Sequence, residues 1–245
     1  MTVDFSQYGL GRNESPLDIN DWKLGTFEPP VLGDLTGTML WPFNANPLNQ
    51  KSTNHCCGFG GADFGICDPI PDPYTDEDGH RIYYMCKDVD GEPGQENGST
   101  VHTLAKVLQN MGRIKNYAFA NLVDEVTWWL LHKGPVIVGT EWTNDMFISD
   151  ADNIIHPTGE VAGGHCYVLR GTEGNLYYTL QNSWNGWGIN GGARISIADF
   201  RILFRHHGEA LASVEEPIPV QAPDVATKCW LTDLFNQLLK PQPVV

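Results

Sequence analysis

The chain is poor in positive charge. Against 30 Asp and Glu it carries 15 Lys and Arg, a formal net charge of -15 over 245 residues. A surface of that sign repels phosphate backbones and anionic headgroups, so neither nucleic acid nor a membrane is expected as a partner. It leaves room for basic substrates, although an acidic surface equally serves solubility. No apolar run is long enough to cross a bilayer. The start, Met1-Thr2-Val3-Asp4-Phe5-Ser6, lacks the basic region and apolar core of a secretory signal, which places the expectation in the cytoplasm or on a virion. Cysteine is sparse, and no Cys-x-x-Cys pair occurs. Cys67 and Cys86 stand too far apart to read as a metal site, and the six cysteines are read as mainly reduced. The acidic run Tyr74-Thr75-Asp76-Glu77-Asp78-Gly79 does not meet the ligand spacing of an EF-hand and reads as part of a solvated loop from Cys67 to Asn97. Internal repeats and low-complexity runs are lacking. No metal and no organic cofactor is implied.

What the chain does have is concentrated between Gly163 and Gly192. Gly164-His165-Cys166-Tyr167-Val168-Leu169 and Leu176-Tyr177-Tyr178-Thr179-Leu180-Gln181 read as two strands joined by a Gly174-Asn175 turn. A histidine opens the first strand and Asn182-Ser183-Trp184 closes the second. A hairpin brings His165 and Asn182 to one end of a sheet, and an imidazole with a fixed partner on one nitrogen can act as a base with the other. Upstream, Gln50 precedes Cys56 by six residues in Gln50-Lys51-Ser52-Thr53-Asn54-His55-Cys56-Cys57. A thiolate is the competent sulfur nucleophile, and a neighbouring imidazolium or a helix N-terminus lowers a thiol pKa into the working range.

Gly-His followed by a strand, Asn-Ser-Trp, then Trp-Gly-x-Asn-Gly resembles the papain-like cysteine peptidases (the C1 family), as does the order Gln50, Cys56, His165, Asn182. The resemblance covers most of residues 20–210. It implies an α+β, two-lobed fold, a helical lobe beside a β-barrel-like lobe with the active site in the cleft. The activity it implies is that of a cysteine endopeptidase acting on polypeptides. Cys56 would be the nucleophile, His165 its base, Asn182 the residue orienting the imidazole, and Gln50 a donor to the oxyanion. Gly98 and Ser99 match the strip that binds substrate backbone. Gly139 and Cys166 match positions that line the pocket for the residue two before the scissile bond, implying an open, apolar pocket, and Gly164 is expected among the substrate-binding residues. Trp184 would shield the His165–Asn182 bond, and Trp187 would line the opposite side of the cleft.

The sequence departs from the family pattern at His55 and Cys57, which flank the nucleophile, and in an Asn182–Trp187 loop one residue shorter than usual. Asp21-Trp22 resembles the start of mature enzymes, and too little chain precedes it for the family's inhibitory propeptide. That implies either no zymogen control or restraint by a partner. The pared-down form resembles actinobacterial and phage members. The glycine-laden helix expected at 56–66 and the apolar C-terminal segment motivate a second reading, a structural or assembly component, of a virion for example, with little or no activity. A third, an acyl transferase such as a transglutaminase, shares Cys-His chemistry, with Asn182-Ser183-Trp184 against it.

Around these residues the chain reads as alternating elements. Residues 56–66 should form the nucleophile's helix, although Gly58, Gly60, Gly61 and Gly65 each cost about 1 kcal/mol against alanine in a helix interior, a price that only close packing justifies. Helices are expected after Ser99 and after Asn121, strands at Val136–Thr140 and Ala193–Ile197, and a short helix at Ala198–Phe204. His102 reads as a surface or packing residue, and His156 as a weak rival to His165. The peptidase domain is assigned to residues 1–214. Residues 215–245 are assigned as a Pro-rich linker and an amphipathic helix, whose residues 225–240 would dock either on their own domain or on a partner protein.

Overall fold

A computed structural model of the chain describes residues 5–19, 21–26, 35–69 and 71–215. The expected C-terminal linker and helix lie outside the described residues, apart from Glu215.

The chain enters with a two-residue strand, β1 (Arg12–Asn13), and a short one, β2 (Thr38–Leu40). Two helices follow, α1 (Cys56–Ile66) and α2 (Asp76–Val89). Then come β3 (Ser99–Thr100), α3 (Val101–Asn110), β4 (Asn116–Phe119), α4 (Val123–His132) and β5 (Val136–Thr143). The last part holds β6 (Ile154–Ile155), β7 (Val161–Glu173), β8 (Tyr177–Gln181), β9 (Gly192–Ser196), α5 (Ile197–Arg205) and β10 (Glu209–Val214). One sheet of eight strands runs in the order β4-β10-β5-β7-β8-β9-β6, with β2 added on β7, while β1 pairs separately with β3 in parallel. Among the described residues the sheet does not close into a barrel.

Alternation along the central strands explains the two lobes. Successive side chains of a strand point to opposite faces. On β5, Val136 and Val138 enter one core and Ile137 the other, and on β7, Tyr167 and Leu169 oppose Cys166 and Val168. One face therefore packs on α4, α5 and the aromatic cluster, and the other on α1, α2 and α3. Both faces being covered accounts for the unbroken apolar run at Val136-Ile137-Val138.

Helix α1 is buried at all 11 positions, as expected of a helix that is apolar all round. Its glycines are explained by approach distance. A Cβ on Gly58 would collide with the carbonyl oxygen of Gly79 in α2, and one on Gly60 would come within 2.7 Å of Cys166 Sγ in β7. The close packing that alone justifies glycine there is present.

One element was misread from sequence. The stretch assigned as a solvated acidic loop contains α2. The Asp78 carboxylate accepts from the N–H and hydroxyl of Thr75, and Asp76, Glu77 and Asp78 fill the first turn, where carboxylates offset unpaired N–H groups and the helix dipole. Prolines just upstream masked that start. Two further starts shift by one residue: Thr100, not Ser99, caps α3, and α4 begins after Leu122, where Glu125 accepts from the N–H groups of Asn121 and Leu122. Cys67 and Cys86 are buried free thiols.

Candidate active site

The cleft lies where α1 meets β7. Cys56 is the first residue of α1, so its side chain sits at the positive end of the helix dipole. His165 lies on β7, and the hairpin into β8 returns the chain to Asn182 beside it. The three side chains are fully buried.

Hydrogen bonding fixes the imidazole. Asn182 Oδ1 lies 2.7 Å from the N–H of Ser183 and 2.9 Å from His165 Nε2. A backbone N–H only donates, so the shared atom is the amide oxygen, and Nε2 must carry the hydrogen it receives. Nδ1 is then the nitrogen left with a lone pair, and it has no hydrogen-bond partner. Trp184 stacks on the imidazole with centroids 4.3 Å apart, and Trp142 meets its edge at 4.9 Å. Trp184 therefore covers the ring's face, keeping water from the ring and its bond to Asn182. Trp187 is buried in the same aromatic cluster and donates to the carbonyl of Phe147 at 3.0 Å.

Cys56, not Cys57, faces the imidazole. Burial pushes the Cys56 thiol pKa well up, the adjoining Cys57 thiol adds to this, and His165 pulls it back. Cys57 donates to the carbonyl of Ser99 at 3.2 Å and faces Cys166 and Cys86 instead. His55, which precedes Cys56, is buried, stacks on Tyr83 at 3.7 Å and meets His80 Nδ1 at 2.7 Å.

The strip at Gly98-Ser99 is held from behind by residues that the misread α2 concealed. Lys87 donates to the Gly98 carbonyl at 2.9 Å, and the Gly98 N–H donates to Tyr83 Oη at 3.2 Å. Ser99 Oγ donates to Asp90 at 2.8 Å. Asp63 is a second residue missed, a buried carboxyl on α1 that accepts from Ser183 Oγ at 2.6 Å. This bond ties α1 to the loop carrying Asn182. Burial raises the Asp63 pKa to about 7, with Ser183 opposing. The only signal in the sequence was an acid within an otherwise apolar, glycine-rich helix.

The cleft is filled by the chain's own N-terminal segment. The Gly11 N–H donates to the carbonyl of Gly164 and the Ser99 N–H to the carbonyl of Gly11, each at 3.0 Å. Gln50 Nε2 donates to the carbonyls of Gly9 and Thr53 at 3.0 and 2.9 Å, so both amide hydrogens are engaged, and Oε1 has no partner. Tyr8 lies on Trp184, centroids 4.9 Å apart. Arg12 projects past Gly139, where an added Cβ would come within 2.9 Å of Nε. Its guanidinium pairs with Glu209, Nε to Oε2 at 3.1 Å, and donates to the His207 carbonyl at 2.6 Å. The pocket expected to be open and apolar is therefore occupied, with a carboxylate at its floor.

The rival histidine is elsewhere: His156 is exposed and pairs with Asp150 at 3.0 Å. His102 is buried and pairs with Asp21 at 3.0 Å. With Asp18 these two form the one cluster of potential metal ligands found among the described residues. No helix there is long and apolar enough to cross a membrane.

No known sequence-family profile matches the chain. Among characterised proteins, cathepsin B-like cysteine proteinase 6 of Caenorhabditis elegans is 32% identical over 83 residues, 32% of this chain and 22% of that protein. The match thus spans less than a quarter of the relative's length. Among solved structures, xylellain, a cysteine protease from Xylella fastidiosa, superposes with a TM-score of 0.64 at 14% identity, covering 87% of this chain and 100% of xylellain. ProCathepsin B S9 from Trypanosoma congolense gives 0.52 at 12% identity over 88% and 86% of the two chains. Procathepsin L 3 from the larval midgut of Tenebrio molitor gives 0.53 at 12% identity over 86% and 77%. With its helical lobe, its sheet lobe and the cleft between them, the chain has the fold of the papain-like cysteine proteases.

Proposed function

We propose that the chain is a cysteine peptidase that hydrolyses internal peptide bonds of polypeptides through Cys56, His165 and Asn182. The observation that carries this reading is the shared Asn182 oxygen, which fixes His165 with Nε2 protonated and Nδ1 free on the Cys56 side. Cys56 transfers its proton to Nδ1, and the thiolate sulfur bonds to the scissile carbonyl carbon. The imidazolium then gives its proton to the departing amine as the C–N bond breaks, leaving a thioester. Water attacks that thioester, His165 accepts the water's proton, and Cys56 leaves as the carboxylate product forms. The negative oxygen formed in each half is met by the Cys56 N–H and by Gln50 Nε2 once the Gly9 carbonyl has left it. Removing one such donor costs about 3–4 kcal/mol of transition-state stabilisation in a comparable site. The low dielectric around Trp142 and Trp184 strengthens the His165–Asn182 bond during charge separation.

The assembly-component reading drew on the glycine-laden helix and on the C-terminal segment. Close packing accounts for the first, and the second lies outside the described residues. The test is cleavage of an unfolded protein substrate by the full chain and by single variants. Cys56→Ala should abolish cleavage and Cys57→Ala should retain it. Loss with Cys57→Ala and retention with Cys56→Ala would overturn the assignment.

A further inference from the structure

Resting on the peptidase reading, we propose that the pocket floored by Glu209 is a subsite selective for an arginine side chain of the substrate, and that Arg12 is its intramolecular stand-in. Three observations converge. First, Arg12 is flanked by backbone that pairs with both walls of the cleft, through the Gly11 N–H to Gly164 and the Ser99 N–H to Gly11. The pocket is therefore addressed by whatever chain lies along those walls. Second, its chemistry is specific. The guanidinium side chain is 3% exposed, and its charge is met by Glu209, itself 16% exposed, while the His207 carbonyl takes a further hydrogen. A planar fork with several donors satisfies both acceptors at once, whereas an apolar side chain would strand the carboxylate. Third, Gly139 and Gly164 leave the space that the arginine stem and backbone occupy. Glu209 pairs directly with Gly139 across β10 and β5, so the acid is fixed by the sheet rather than by a loop.

The same contacts make residues 9–12 an internal competitor for the cleft. Substrate must displace Gly9 from Gln50 and Arg12 from Glu209 together, and a peptide with arginine at the matching position replaces both the backbone pairing and the ion pair. The net charge of -15 favours the approach of such basic chains.

The test uses the full chain carrying Cys56→Ala, which lacks the nucleophile, titrated calorimetrically with the capped peptide Gly-Leu-Gly-Arg-Asn and with its citrulline counterpart, neutral and nearly isosteric. Adding Arg12→Gln should tighten binding of the arginine peptide by roughly tenfold or more, and the arginine form should exceed the citrulline form by a similar factor. Glu209→Gln should cut that preference to about twofold or less. Equal binding of the two peptides by a folded Arg12→Gln chain, or a preference that survives Glu209→Gln, overturns the proposal. Should Arg12→Gln fail to fold, amide exchange on the Cys56→Ala chain decides. The arginine peptide should speed exchange at Gly11 and the citrulline peptide should not, and equal effects overturn the proposal. Binding is read without turnover, so a chain that selects arginine but never cleaves contradicts the peptidase reading alone.

Discussion

The two walls of the cleft are equally buried, but their polar groups are satisfied in different ways. On the sheet side, the bonds from Asn182 to His165 and Ser183 come from the same hairpin and its loop, and Ser183 Oγ adds one bond to Asp63 on α1. On the helix side, Gln50 spends its amide on Gly9 and Thr53, and Gly98-Ser99 pairs with Gly11. The His165 imidazole is therefore set by local structure, whereas Gln50 and the Gly98-Ser99 strip are occupied by a distant part of the chain. A wall whose partners lie outside the cleft is ready before substrate arrives, and one that borrows a segment lying in the cleft must give it up.

The strongest way to break this comparison is to remove the imidazole of the sheet-side wall. His165→Ala should lower kcat/KM for peptide cleavage by about 10⁴-fold or more, the scale seen when one member of such a triad is lost, with little change in substrate affinity. A loss carried mainly by KM would mean that His165 positions substrate rather than protons.

The link between the walls is Asp63, and its sign is defined. Its carboxyl ordinarily titrates near 3.8 and in the fold near about 7, so the folded state holds the proton more tightly. The stabilisation is fully present below about pH 4 and is lost as pH rises through about 7, at up to about 1.4 kcal/mol per unit. Asp63→Asn cannot ionise and should flatten this part of the stability curve, read by urea unfolding at pH 4.5 and 7.5. An unchanged slope would remove Asp63 from the account.

A smaller effect sharpens the packing side. Gly58→Ala drives a methyl into the Gly79 carbonyl and should cost about 1–3 kcal/mol, seen as a lower Tm. Gly91→Ala, in open space at φ 75°, should cost only about 1 kcal/mol from its left-handed backbone. Equal costs would mean that close approach is not why α1 carries glycine.

The features legible in the sequence were local ones. The alternation around Gly174-Asn175 fixes the β7–β8 hairpin, and with it the meeting of His165 and Asn182. The spacing of Gln50 and Cys56 within one short segment gave the other wall. What escaped depends on contacts far apart in sequence or on a signal read with the wrong sign. The acids of α2 stabilise its first turn yet resemble a solvated loop, so Lys87, Tyr83 and Asp90 behind the strip went unseen. Asp63 has meaning only beside Ser183, 120 residues away. Gly9-Leu10-Gly11-Arg12 lacks the periodicity of a helix or strand, since its order comes from pairing with Lys51, Ser99 and Gly164. The expectation of either no zymogen control or a restraining partner omitted this third arrangement, a segment of the same chain lying in the cleft.

The central claim is that Cys56 and His165 work as a pair beneath that segment. The direct measurement is alkylation of the folded Arg12→Gln chain with limiting iodoacetamide from pH 5 to 9, each cysteine read by peptide mass spectrometry, with and without His165→Ala. The account predicts that Cys56 labels first and well below pH 8, and that His165→Ala removes this advantage. Labelling of Cys56 no faster than Cys57, or unaffected by His165→Ala, would contradict it.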